Sequence, residues 1–175
     1  MKWFAVTFLT MSVLFLSVFS VDCFYGYLFP TKYSAEIEEV CNESGVSKSL
    51  VFSMINVESG FDKKAKSSKG AVGLMQVMPN TANETAERLG LENYDLFDAY
   101  TNIKIGVNYF AFLEKKFKDQ NVALCAYNAG PTNVLSWLGD KKCSDDGKTL
   151  KSIPFKETEN YIKKINKNLK YYSKK

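Results

Sequence analysis

SKSLVFSMINVESG, residues 47–60, sets apolar side chains at helical spacing, with Val51, Met54 and Ile55 on one face and Glu58 continuing it. The helix is expected to start at Ser47 and to end near Gly60. Glu58 is the anomaly, because a leucine is expected where it stands. Burial disfavours an ionised carboxyl, and the negative end of the helix dipole acts in the same direction. The position therefore suits an acid that keeps its proton near neutral pH. The plainer alternative is that Glu58, in the last turn, points to water.

Outward from this stretch the pattern stays helical. Tyr33, Ile37, Val40 and Cys41 predict a helix with Ser34 as N-cap and Gly45 as its stop. Residues 61–80 read as a loop with a buried part, since Gly70 and Gly73 punctuate a lysine-rich start that leads into the apolar Leu74 to Met78. Thr81 with Glu84 predicts a capping box for a third helix ending at Gly90. A longer helix is expected from Asp98 or Thr101 to Lys118, with Ile103, Val107, Phe110, Leu113 and Phe117 inward. Shorter ones follow over residues 122–128 and from Pro131 to Leu138, then a polar loop over 139–152. The last helix turns Tyr161, Ile162, Ile165 and Leu169 inward and Lys163, Lys164, Lys167 and Lys170 outward. Strand signals are scarce, and the expected fold class is mostly α.

The chain has 175 residues, room for one domain with a proper core. Hydrophobic residues make up 46% and charged residues 24%, which fits a folded protein and not a disordered or multi-span one. Histidine is absent, which excludes Ser-His-Asp and Cys-His catalysis and zinc sites built on imidazole. Chemistry must run on carboxylates, hydroxyls, amides, thiols or lysines. The net charge is +4, yet Arg88 is the one arginine among 23 basic residues. Specific nucleic-acid contacts lean on the arginine fork, so no nucleic acid is expected as partner, while an anionic polymer or membrane suits the cationic balance. No cofactor and no metal are expected.

Residues 3–21 carry no charge, with Lys2 before them and Asp22 after. This reads as an export signal just long enough to span a membrane. Cleavage after Ser20 is one outcome; retention as an N-terminal anchor is the preferred one, with the chain beyond it outside the cytoplasm. Phe24, Tyr25, Tyr27 and Phe29, in a short connector over residues 23–32, suit a membrane interface. The four cysteines, Cys23, Cys41, Cys125 and Cys143, lack CxxC spacing. Cys41 and Cys125 fall on apolar helical faces, where a buried free thiol is the expectation.

Beyond the helical pattern, a set of motifs runs through the chain in order. It starts at Glu58-Ser59-Gly60-Phe61 and passes through Ala65, Ser67 and Gly70-Ala71 to Gly73-Leu74-Met75-Gln76 and Met78-Pro79. It resumes at Ala126-Tyr127-Asn128-Ala129-Gly130-Pro131 and closes on Ile153-Pro154-Phe155, Glu157-Thr158 and Tyr161. In these motifs and their spacing, residues 33–169 resemble the soluble-lytic-transglycosylase-like, goose-lysozyme-related enzymes that cut bacterial peptidoglycan.

The resemblance implies a lysozyme-like catalytic domain over residues 33–175, behind a signal or anchor at 1–22. It implies that Glu58 is a single catalytic acid that protonates the bond between N-acetylmuramic acid and N-acetylglucosamine. The same glutamate then takes the proton of the C6 hydroxyl, leaving a 1,6-anhydro sugar without consuming water. Ser59, Gln76, Met78, Tyr109, Tyr127, Asn128, Glu157 and Tyr161 are implied to bind substrate or surround the acid. On residue type alone, Met75 and Met78 read as core, Gly73 and Gly130 as backbone geometry, Glu157 as a helix cap and Tyr109 as either core or cleft. Cys41 and Cys125 depart from the small apolar residues common in the family. The expected partners are glycan strands and, through the N-terminal segment, the cytoplasmic membrane, with the protein a monomer. A hydrolytic muramidase and a non-catalytic wall-binding module are the two rival readings.

Overall fold

Apolar periodicity without strand signals becomes a bundle of helices around one core in the computed structural model, which describes residues 26–174. The signal or anchor segment lies outside the described residues. Lys32–Lys175 forms one compact unit, and residues 26–31 belong to the unit before it. The helices of the larger unit are α1 (Ser34–Ser44), α2 (Lys48–Ser59), α3 (Pro79–Leu89), α4 (Ala99–Phe117), α5 (Gln120–Ala129), α6 (Pro131–Gly139) and α7 (Lys156–Tyr172). Among the described residues no strand is built, only isolated bridges that pair Val72 with Lys66 and Val77. No helix among them is long and apolar enough to cross a membrane.

Helix ends follow local chemistry, with departures from the sequence expectation at the starts of α1, α3 and α7. Ser34 is not the cap of α1: Tyr33 takes that place in a left-handed conformation (φ 61°), and its carbonyl already accepts from the Ile37 N–H at 2.9 Å. Thr81 does not cap α3 either. Pro79 supplies the first helical residue with its fixed φ, and the Met78 carbonyl accepts from the Ala82 N–H at 2.8 Å, so Thr81 lies within the helix. The helices expected to start at Ser47 and near Asp98 do so, each behind a side-chain cap. The Ser47 hydroxyl accepts from the Leu50 N–H, and Asp98 accepts from the Thr101 N–H at 2.9 Å.

The core is shared by all the long elements. Val51, Met54 and Ile55 of α2, Ile103, Val107, Phe110 and Leu113 of α4, and Ile165 of α7 are fully enclosed. Helix α2 packs on α7, and α4 packs on α1, α3 and α5, so the C-terminal end of α2 is fixed between the loop after it and the start of α7. Cys41 and Cys125 are buried free thiols, as is Cys143 in the loop before α7. Burial raises the Cys41 thiol to about 11 and the Cys125 thiol to about 12.

Candidate active site

The stripe that ends at Glu58 carries its carboxyl to the edge of the core and stops there. Glu58 is partly buried, and Gly60 closes α2 in the left-handed region (φ 61°), turning the chain into the loop over residues 61–78. Burial is the main reason the Glu58 pKa stands at about 7 instead of 4.5. The nearby Glu157 charge pushes the same way, and the Tyr161 hydroxyl opposes both. Glu58 thus holds its proton near neutrality, and the reading in which it points to water does not apply.

The loop over residues 61–78 is the site's second wall, and Asn102 on α4 holds it. The buried Asn102 side chain accepts from the Met75 N–H at 2.8 Å and donates to the Val72 and Leu96 carbonyls at 3.0 and 2.9 Å. Gly73 (φ 78°) is required here, because a Cβ would lie 2.2 Å from the Asn102 amide nitrogen. Leu74 and Met75 fill the core beneath. The Ser59 hydroxyl donates to the Leu74 carbonyl at 2.8 Å, which ties α2 to the loop. Gln76 sits at φ 47°, and its amide donates to the Ala65 and Gly73 carbonyls at 3.2 and 3.0 Å.

Helices α5 and α7 complete the walls. The Tyr127 hydroxyl donates to the Met75 carbonyl at 2.8 Å, and its ring lies 5.6 Å from that of Tyr109. Asn128 accepts from the buried Thr158 hydroxyl at 2.7 Å, which joins α5 to the start of α7. The Tyr161 hydroxyl is buried and meets no partner at hydrogen-bonding geometry, although it lies near enough to Glu58 to lower that group's pKa. Burial and the Glu58 charge raise the Tyr161 and Tyr127 phenols well above their usual range, so both are neutral.

Between these walls runs a groove in two adjoining cavities of about 460 and 480 Å³. The second holds Glu58 and Tyr161; the first is walled by Tyr109, Thr81, Pro131 and Phe155. Gln76, Met78, Tyr127, Asn128, Lys69 and Glu157 border both. Met78 is 43% exposed, so it is a cleft residue and not the core filler its type suggests; Met75 is the core residue. Tyr109 faces the cleft. Glu157 does not cap α7, whose N-cap is Phe155, and is paired instead with Lys69 at 3.4 Å. Of the nine residues singled out in the sequence, Ser59 alone lines neither cavity; its hydroxyl is spent on Leu74.

Three contributors were not legible. Asn102 lies in a helix with no motif around it. Lys69 sits in an ordinary lysine-rich run. Phe155 closes a motif without showing that its ring stands 46% exposed, edge-on to Trp137 at 5.0 Å.

The sequence and the fold have counterparts among known proteins. A family described as Transglycosylase SLT domain matches residues 36–150. The soluble lytic murein transglycosylase of Salmonella typhimurium is 35% identical over 143 residues, covering 78% of this chain and 22% of that protein. The membrane-bound lytic murein transglycosylase E of Buchnera aphidicola is 30% identical over 148 residues, covering 78% of this chain and 66% of the relative. Among solved structures, an inactive mutant of the lytic transglycosylase Slt of Pseudomonas aeruginosa superposes with a TM-score of 0.75 at 32% identity. That match covers 83% of this chain and 24% of the other. The chain thus spans about a quarter or less of the larger relatives.

Proposed function

The chain belongs to the Transglycosylase SLT domain family, and from that premise we propose that it cleaves peptidoglycan glycan strands between N-acetylmuramic acid and N-acetylglucosamine, leaving 1,6-anhydro ends. The observation that carries this reading is the Glu58 carboxyl, held protonated to about pH 7 inside the groove. Glu58 donates its proton to the glycosidic oxygen as the bond to C1 breaks. The substrate's own 2-acetamido group stabilises the cation. The Glu58 carboxylate then takes the C6 hydroxyl proton as O6 closes on C1, and the enzyme returns to its starting state without water.

The groove supports this economy of carboxylates. Its acidic side chains are Glu58 and Glu157, and Glu157 is engaged with Lys69. Paired-carboxylate glycosidases instead use a second acid as nucleophile or base. Gln76, Met78, Tyr109, Tyr127, Asn128 and Glu157 form the substrate walls in this proposal. Tyr161 attends the acid, and Ser59 acts by holding the loop.

Mass spectrometry of the products tests the reaction. Anhydro ends support it. Products one water heavier point to a hydrolytic muramidase, and unchanged strands to a wall-binding module.

The site is proposed to work outside the cytoplasmic membrane, as a monomer, with residues 3–21 retained as the anchor. The uncharged run supports this, together with the aromatic connector that follows it. Membrane fractionation with carbonate washing and N-terminal sequencing tests the anchor. A soluble protein that begins near Val21 would show a cleaved signal instead.

A further inference from the structure

The two halves of the groove differ in charge. In the half walled by Tyr109 and Phe155, the ionisable side chains of opposite sign are Lys69 and Glu157, and they pair with one another. In the Glu58 half, Lys164 of α7 is added. Lys164 makes no ion pair among the described residues. Glu58 is mostly uncharged below pH 7, so it does not cancel the excess. The Glu58 half therefore carries a surplus positive charge where its own acid supplies little counter-charge.

The Lys69–Glu157 pair is exposed on both sides, at 76% and 73% of the side-chain surface, so exchanging it for another carboxylate costs little. Ser67, whose oxygen accepts from the Ala71 N–H at 2.9 Å, keeps its O–H free to donate at the same cavity, and Asn160 stands beside it. A neutral sugar needs hydrogen bonds and ring contacts but no ammonium groups. Two lysines at the border of a cavity that holds a neutral acid suit a carboxylate.

We propose that Lys69 and Lys164 form a carboxylate-recognition site at the Glu58 end of the groove, which selects muramyl units bearing an anionic substituent. This deepens the reading of the groove as a glycan-cleaving site and rests on it. The anion is either a carboxylate of the stem peptide or the lactyl carboxylate of a peptide-free unit.

The test measures equilibrium binding to the full chain carrying Glu58→Gln, so turnover does not enter. Three probes are compared: the N-acetylglucosamine–N-acetylmuramic acid disaccharide with its stem peptide, the same compound with its peptide carboxylates converted to amides, and the peptide-free disaccharide with a free lactyl carboxylate. Adding Lys164→Gln or Lys69→Gln is expected to weaken binding of a carboxylate probe ~3- to 10-fold, with Lys164→Arg close to the parent. The loss should shrink with added salt and vanish for the amidated probe. Loss on the first probe alone identifies the stem peptide, and loss on the third identifies the lactyl group.

Equal losses on all probes, no loss on either carboxylate probe, or no binding of those probes by the parent would overturn the site. Anhydro-product analysis on the unsubstituted chain reports separately on the glycan-cleaving reading. Binding that follows the carboxylates without such products would leave the lysine site standing and remove that reading.

Discussion

Glu58 keeps its proton because the cost of a buried charge exceeds the help that Tyr161 gives the carboxylate. Glu58→Gln preserves shape without a proton to give, so turnover should fall by ~10² to 10⁴-fold in an assay of released anhydro products. Stability moves the other way. Between about 4.5 and 7 the folded protein binds a proton at Glu58 that the unfolded chain has released, so stability drains away as pH rises across that window and levels off above it. Glu58→Gln escapes this loss. Its melting temperature should therefore exceed that of the wild type at pH 8 by more than at pH 4, with a ceiling of ~3 kcal/mol. Tyr161→Phe removes the group that lowers the Glu58 pKa. The alkaline limb of the rate profile should shift to higher pH, with under ~1 kcal/mol of stability change because that hydroxyl meets no partner at hydrogen-bonding geometry. A limb that stays in place would show that the hydroxyl does not act on Glu58. The place of Glu58 could be read from the sequence because periodicity marks one face. What Tyr161 does to it could not, since that depends on how α7 meets α2.

The loop over residues 61–78 is rigid for a reason located elsewhere, on α4. Asn102→Ala would strand the Met75 N–H and the Leu96 carbonyl and leave the Val72 carbonyl with the Val77 N–H alone, at a cost of about 2 to 4 kcal/mol. Activity should fall even below the lowered melting temperature, because the Tyr127 hydroxyl and the Gln76 amide bind carbonyls of the same loop. Calorimetry and product assays on one sample check both, and unchanged turnover would mean the loop keeps its shape without Asn102. The element ends show what a sequence can display. The helix boundaries at Ser47, Asp98, Gly45 and Gly60 were legible because a helix end is a local event between neighbours. Thr81 misled because its spacing from Glu84 fits a capping box, whereas Pro79, two residues earlier, had already started the helix. Asn102 was illegible for the opposite reason: the groups it satisfies lie up to 30 residues away in the chain.

At the scale of the molecule, the three described cysteines report on whether the core opens as one unit. Cys41 and Cys125 sit in α1 and α5, at 5% and 1% exposure, whereas Cys143 lies in the loop between α6 and α7. A thiol reacts as thiolate. With pKa values near 11 and 12, the native fraction of thiolate at pH 8 is ~10⁻³ for Cys41 and ~10⁻⁴ for Cys125, so both chemistry and access block labelling. Cys143 is held by its loop: its carbonyl accepts from the Lys151 and Ser152 N–H groups at 2.8 and 3.3 Å. Loops open at lower free energy than packed helices. In the Cys23→Ser chain, disulfide-exchange reagents should therefore modify Cys143 first, through local opening that hardly depends on denaturant. Cys41 and Cys125 should react later and together, at rates that rise with denaturant as steeply as global unfolding does. Peptide mapping after timed quenching assigns each site. Early reaction of Cys125 would show that α5, which carries Tyr127 and Asn128, detaches from the core on its own, and the groove would then lack the rigid wall that places these two side chains opposite Glu58.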